Sequence, residues 1–187
     1  AKSADAEHRS GGVSDLLERN NYRFDIDAPS SFASTIRDST LVGRWQHRKD
    51  YDPVQFDGLV SKLHDEVLAI VQAEGYFEPR IEIDAEAPDR VKLTLKPGNR
   101  TKVSELDIQI EGQGTQNRAL ANVKRRFGMA VGDPFVSSNW QSGKSALIDA
   151  MKRQGYLRAR IARSTAQVDA RTAKARLTVV VDSGERI

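Results

Sequence analysis

The 187 residues are 39% apolar and 29% charged, with a formal net charge of +3, an ordinary composition for a globular chain that divides into two halves near the lower size limit of a domain. No apolar run approaches the roughly 20 residues that span a bilayer as a helix. With no cysteine, disulfides, thiolate metal sites and a cysteine nucleophile are excluded, and the bacterial periplasm and the cytoplasm are equally compatible compartments.

The small net charge conceals an asymmetry. Residues 1–99 hold 13 Lys and Arg against 18 Asp and Glu, net −5, whereas residues 100–187 hold 16 against 8, net +8. A basic half fits nucleic acid, anionic lipid headgroups or an acidic partner, and equally a solvated surface whose sign varies.

In chain order, residues 1–12 are polar, include Ser10-Gly11-Gly12, and read as a flexible tail. Residues 13–20 read as a short helix with Ser14 placed to cap it. Tyr22, Phe24 and Ile26 alternate with Arg23, Asp25 and Asp27, the period of a half-buried strand. After Ala28-Pro29, Ser30 or Ser31 is expected to cap a helix that carries Phe32 and Ile36 and runs to about Ser39. Residues 41–51 are expected to form an irregular connection holding Gly43, Trp45 and a basic cluster of Arg44, His47, Arg48 and Lys49. Asp52-Pro53 restarts a helix, because Asp accepts free amide hydrogens and proline is tolerated in a first turn. Phe56, Leu59, Val60, Leu63, Val67, Ile70 and Val71 recur at three and four residues, one apolar stripe over about five turns. Gly75 closes this helix in the left-handed conformation.

Strands through Ile81 and Ile83 and through Val91, Leu93 and Leu95 follow, joined by a turn at Ala87-Pro88-Asp89. Pro97-Gly98-Asn99 closes the unit and is the expected hinge between domains. From Lys102 the order repeats. Val103, Leu106, Ile108 and Ile110 form the first strand, Gly112-Gln113-Gly114 the turn, and Thr115 is expected to cap a helix with Leu120, Val123 and Phe127. That helix ends at Gly128. Ser137 or Ser138 then starts a helix with Trp140, Leu147, Ile148 and Met151 on its apolar face. Gly155 ends it, two strands follow, and Glu185-Arg186-Ile187 reads as the opening of a further element.

The repetition is visible in the residues. Gly75-Tyr76-Phe77, a strand, and Val91 to Gly98 are echoed about eighty residues on by Gly155-Tyr156-Leu157, a strand, and Ala175 to Gly184. Self-similarity at this spacing marks a repeated small domain. The expected organisation is a tail over 1–21, a first module over 22–99, a second over 100–184, and the start of a following element at 185–187. Each module reads as strand, helix, helix, strand, strand, an α+β class in which two helices pack on a three-stranded mixed sheet.

Catalytic chemistry has little to work with. His8, His47 and His64 lack metal-ligand spacing, and the pairs Asp25 with Asp27 and Glu82 with Asp84 lie on outward strand faces. Gly112-Gln113-Gly114 has neither the third glycine of a dinucleotide loop nor a following lysine-serine pair. The reading is therefore of a protein that is no enzyme and needs no cofactor or metal. Arg125, Arg126, Arg158 and Arg160 offer a basic surface for anionic membrane or nucleic acid, a second reading weakened by the absence of an exposed aromatic pair for stacking bases.

The strands carry the more useful signal. The steady alternation of the last strand of each module places it centrally, which leaves the strand before it at an edge. Pro79, lacking a ladder donor, fits that placement. The candidate edge residues are Arg80, Ile81, Glu82, Ile83 and Asp84 in the first module, and Arg158, Ala159, Arg160, Ile161 and Ala162 in the second. An edge accepts an extended peptide by strand addition with little demand on its sequence, or it is merely guarded by its charges against aggregation.

At Gly75-Tyr76-Phe77, Pro97-Gly98, Gly155-Tyr156-Leu157 and Asp182-Ser183-Gly184-Glu185-Arg186 the chain resembles the polypeptide-transport-associated (POTRA) domains of the outer-membrane barrel assembly superfamily. The last run, with Trp140, Lys144 and Leu147 before it, is most similar to the TamA family, the outer-membrane subunits of the translocation and assembly module. The resemblance spans residues 22–187. It implies periplasmic strand-helix-helix-strand-strand modules preceding a membrane barrel. Implied with them are the binding of unfolded outer-membrane or autotransporter polypeptides, docking to an inner-membrane-anchored partner subunit, no catalytic residues, and no nucleic acid. The stretch 41–51 matches no function of the family.

Overall fold

The computed structural model describes residues 22–46, 53–87 and 89–187. The expected tail and helix over 1–21, the cluster His47, Arg48 and Lys49, Asp52 and Pro88 lie outside the described residues. The described residues fall into two compact units. One comprises those up to Ile70 together with Arg80–Lys96, and the other comprises Val71–Pro79 together with Pro97–Ile187.

In the first unit, strand β1 (Arg23–Asp27) leads into helix α1 (Ser30–Ser39), a short helix α2 (Leu41–Trp45), the long helix α3 (Pro53–Ala73), and strands β2 (Arg80–Asp84) and β3 (Arg90–Lys96). The sheet order is β1-β3-β2, with β1 parallel to β3 and β2 antiparallel to it. Val91, Leu93 and Leu95 of β3 are buried while Arg90, Lys92 and Lys96 are exposed, so the two-residue period assigns one face to the core. Tyr22 and Phe24 join that face, and the rings of Tyr22 and Phe56 lie 5.0 Å apart. On α3, Phe56, Leu59, Leu63 and Val67 are buried, as the stripe predicts. The bounds of α1 agree with expectation, but no side chain caps it: Pro29 occupies the cap position, without Ser30 or Ser31 in that role.

The expected irregular connection after Ser39 is partly wrong. Leu41–Trp45 is helical because Thr40, itself extended, accepts from Gly43 N–H through its hydroxyl at 3.2 Å. The same hydroxyl donates to Ile36 O at 2.6 Å, and Glu66 accepts from Leu41 N–H at 2.9 Å. Thus two of the amides a helix start leaves unpaired find side-chain acceptors. A Cβ at Gly43 would sit 2.1 Å from Arg37 O, so only glycine lets α1 and α2 approach this closely.

The second unit repeats the plan with strand β4 (Lys102–Glu111), helix α4 (Ser137–Arg153), and strands β5 (Arg160–Asp169) and β6 (Lys174–Asp182). The order is β4-β6-β5, the first pair parallel and the second antiparallel. The chain is therefore α+β, with two tandem modules of the same strand order, each a three-stranded mixed sheet with helices. One expected α-helix is instead three short 3-10 turns, Gln113–Gln116, Arg118–Asn122 and Lys124–Phe127. Thr115 does not cap: its hydroxyl donates to Gly112 O at 2.7 Å. Asn117 breaks the run, because in its extended conformation its side chain accepts from Ala119 N–H at 2.9 Å and donates to Tyr156 Oη at 3.0 Å. Leu120, Val123 and Phe127 are nonetheless buried. Phe127 meets Trp140 of α4 edge-on at 5.7 Å, the geometry aromatic pairs prefer. The start of α4 at Ser137 also lacks a side-chain cap.

Candidate polypeptide-binding edges

The open edges arise from how the sheets are ordered. In the first, among the described residues, β2 pairs only with β3, in the register Arg80 with Lys96, Glu82 with Thr94 and Asp84 with Lys92. Ile81 and Ile83 are half-buried on the core side, and Arg80, Glu82 and Asp84 are exposed. Across β3, Asp25 accepts from Arg23 Nε at 2.7 Å and from Arg90 Nε at 2.9 Å. The Arg23 hydrogen bond above all, then the field of that arginine and the contact with Arg90, hold the Asp25 carboxyl below the usual carboxylate range against some desolvation. Asp25 is thus engaged by two arginines at once.

In the second unit the two edges differ. The start of β4 is covered by the chain's own loop: Val103 N–H donates to Asp133 O at 2.8 Å, Gly132 N–H to Val103 O at 2.8 Å, and Phe135 N–H to Thr101 O at 2.9 Å. At its far end Thr115 Oγ1 donates to Ile110 O at 3.2 Å. By contrast, among the described residues no backbone hydrogen bond from a segment other than β6 reaches β5. In an antiparallel edge strand every second residue turns its N–H and C=O outward, so the ten residues of β5 offer a longer free ladder than the five of β2.

Beside β5 lies a groove of about 460 Å³, lined by Gln141, Lys144, Ser145, Ile148 and Asp149 of α4 and by Ile161 and Ser164 of β5. Lys144 Nζ lies 3.4 Å from Ser164 Oγ and 4.7 Å from the centre of the Trp140 ring. The groove thus offers an apolar floor from Ile148 and Ile161 with charged and hydroxyl rims, the setting in which an added strand's alternate side chains find one dry and one wet side. Arg160 donates to Asp182 Oδ2 at 2.8 Å, and Arg163 to Glu111 at 3.2 Å. The Gly184 amide first, and Arg160 second, hold the Asp182 carboxyl below its ordinary value.

The expected edge residues are placed unevenly. Arg80, Ile81, Glu82, Ile83 and Asp84 are β2 itself. In the second module Arg160 and Ile161 are strand, but Arg158 and Ala159 are not. They belong to the turn before it, where Ala159 is buried and donates to Tyr156 O at 3.1 Å. Ala162 is the extra residue of a β-bulge, since Ile161 pairs with Val181 and Arg163 with Val180; a bulge interrupts the ladder and twists the strand. The strand continues instead through Arg163 to Asp169. Ala166 and Val168 alternating with Gln167 and Asp169 carried a weak signal for that continuation, and both are half-buried against the core. Of the basic residues Arg125, Arg126, Arg158 and Arg160, Arg160 is ion-paired, while Arg125 and Arg126 are exposed at the end of the third 3-10 turn. Pro97, Gly98 and Asn99 connect β3 to β4. Gly98 takes φ +78°, and a Cβ there would meet Glu78 O at 2.9 Å.

Residues 103–184 match the family model of the POTRA domain, described as a surface antigen variable number repeat. Among curated proteins nothing matches. Solved structures to which the chain is similar include POTRA domains 3–5 of Haemophilus influenzae BamA, at 16% identity over 89% of this chain and 67% of that one, TM-score 0.47. They also include POTRA domains 1–2 of Anabaena Omp85, at 15% identity over 89% and 96%, TM-score 0.46. The fourth POTRA domain of Haemophilus influenzae BamA covers 47% of this chain at 20% identity, TM-score 0.38.

Proposed function

We propose that this chain is a pair of periplasmic POTRA modules of an outer-membrane protein assembly or translocation factor, binding unfolded client or partner polypeptides by strand addition at β2 and β5. The observation that carries the reading is β5: ten residues paired, among the described residues, on one side only, beside a groove with an apolar floor, while the start of the opposite edge strand β4 is covered by the protein's own loop. Unpaired backbone groups along an edge strand can accept another chain by strand addition. The POTRA match over 103–184 and the repetition of strand order in the first module support the same reading. Within it, Pro97-Gly98-Asn99 serves as the hinge. The factor is of the TamA type, its clients are outer-membrane or autotransporter polypeptides, and its partners are an inner-membrane-anchored subunit and a C-terminal membrane barrel.

The test is an amide-shift titration of the isotope-labelled chain with an extended apolar-polar alternating peptide. Shifts concentrated in Arg160–Asp169 and Arg80–Asp84 are expected, with binding lost when alternate peptide amides are N-methylated. Shifts confined to helices, or indifference to N-methylation, defeat strand addition. If binding instead vanishes between low and moderate salt and anionic vesicles or oligonucleotides compete, the basic-surface reading through Arg125 and Arg126 takes its place.

A further inference from the structure

Lys144 of α4 is a cation without a carboxylate. Arg160, Arg163 and Arg176 on the neighbouring strands each have one within 3.2 Å, whereas among the described residues no ion pair reaches the Lys144 ammonium. It is nonetheless held in place. Nζ lies 4.7 Å from the centre of the Trp140 ring and 3.4 Å from Ser164 Oγ, and Trp140 is itself buried. An ammonium has three hydrogens to donate, and the single hydroxyl accepts one of them.

The bulge in β5 sets what that ammonium faces. Ile161 pairs with Val181 and Ser164 with Val179, and both valines are buried. Ile161 and Ser164 therefore share the groove-lining face, because Ala162 between them is the extra residue. A strand added to β5 places its side chains on that face at every second position, each about 5 Å from its cross-strand neighbour. The residue opposite Ser164 arrives at Lys144. The residue opposite Ile161, two positions along, arrives at the apolar floor that Ile161 forms with Ile148. Asp149, next to Ile148 on the rim, makes a second carboxylate unfavourable at that end.

We infer that Lys144 selects the strand that β5 accepts: a segment of client or partner polypeptide carrying aspartate or glutamate opposite Ser164, with a large apolar residue two positions from it. The carboxylate accepts a charge-assisted hydrogen bond from an ammonium already fixed by Trp140 and Ser164, so pairing costs that side chain little further freedom. A lysine or arginine at the same position is repelled. This rests on strand addition at β5 and adds to it a requirement on sequence, which main-chain pairing by itself does not make.

The test titrates labelled peptides with the whole 187-residue chain, read by fluorescence anisotropy. The host peptide alternates and carries Leu-Thr-Glu-Thr-Leu at its centre. Its variants replace the Glu by Gln or Lys, or move it one position, onto the opposite face at equal net charge. Binding about tenfold weaker is expected for Gln and for the displaced Glu, and weaker still for Lys. Lys144→Gln should erase the preference for Glu over Gln, Lys144→Arg should retain it, and Lys144→Glu should reverse it in favour of the Lys peptide. Glu, Gln and Lys peptides that bind alike, while N-methylation of alternate amides still abolishes binding, overturn the inference and leave strand addition standing. A preference for Glu that survives Lys144→Gln, or that the displaced Glu satisfies equally, also overturns it, since the excess positive charge of residues 100–187 would then be the cause. If no peptide binds, or N-methylation has no effect, strand addition falls and the inference falls with it.

Discussion

One substitution, made at two helix-interior glycines, is expected to change stability in opposite directions. Gly58 of α3 has nothing within 4 Å of an added Cβ, whereas the Cβ of an alanine at position 143 in α4 would lie 2.4 Å from Phe127 O and 2.9 Å from the Phe127 ring. In an open helix site Gly→Ala stabilises by about 0.5–1 kcal/mol, by reducing the freedom of the unfolded chain. At Gly143 the same gain is outweighed. Relief requires α4 to move from Phe127 by nearly an ångström, loosening the edge-on contact with Trp140 at 5.7 Å, and overpacking of this kind costs about 1–3 kcal/mol, sometimes more. Gly58→Ala should therefore raise the melting temperature of its unit by about 3–6 °C, and Gly143→Ala should lower that of the second unit by several degrees. Far-UV circular dichroism and the fluorescence of Trp140 follow the two transitions. Shifts of the same sign at both sites would refute the packing reasoning.

Other outcomes follow from single contacts. Phe127→Ala removes a fully buried ring and should cost about 3–5 kcal/mol, read as a fall in the urea midpoint of the second unit; a change under 1 kcal/mol would mean that the 3-10 segment is not part of the core. Tyr22→Phe deletes the buried hydrogen bond from the Tyr22 hydroxyl to Val42 O and should cost about 1–2 kcal/mol in the first unit alone, measured by the same denaturation. Asp182, with its carboxyl held low by Gly184 N–H and Arg160, contributes stability that is present above the unfolded carboxylate pKa near 3.8 and is lost as pH falls through the lower folded value. Asp182→Asn should accordingly reduce stability near neutral pH and flatten its loss below pH 4 in a urea-midpoint series; an unchanged acid limb would show that the carboxylate is unimportant.

The modules' duplication was legible because it rests on short-range chemistry. The seven apolar positions of α3 and the two helix-ending glycines repeat in sequence what they repeat in space, and the alternation of Val91, Leu93 and Leu95 marked a central strand. The candidate site was less legible. Arg158 and Ala159 read as strand because they adjoin Arg160 and Ile161, but a Cβ at Gly184 would come within 3.1 Å of the Arg158 Cβ, so Gly184 lies against Arg158 and the chain turns there before pairing begins. Nothing local distinguishes Ala162 as a bulge, since a bulge is a property of two strands together. The helical content of residues 113–127 was misread for a related reason: Asn117 is diverted by Tyr156, a residue distant in sequence.

Composition and periodicity by themselves determined where the strands and the two long helices fall and the central place of β3 and β6, because burial selects apolar residues at fixed spacing. Tertiary structure alone decided which edges stay open. Whether a strand's outward amides are free depends on a loop such as 132–135 returning to cover them, and such main-chain hydrogen bonding leaves almost no trace in side-chain identity.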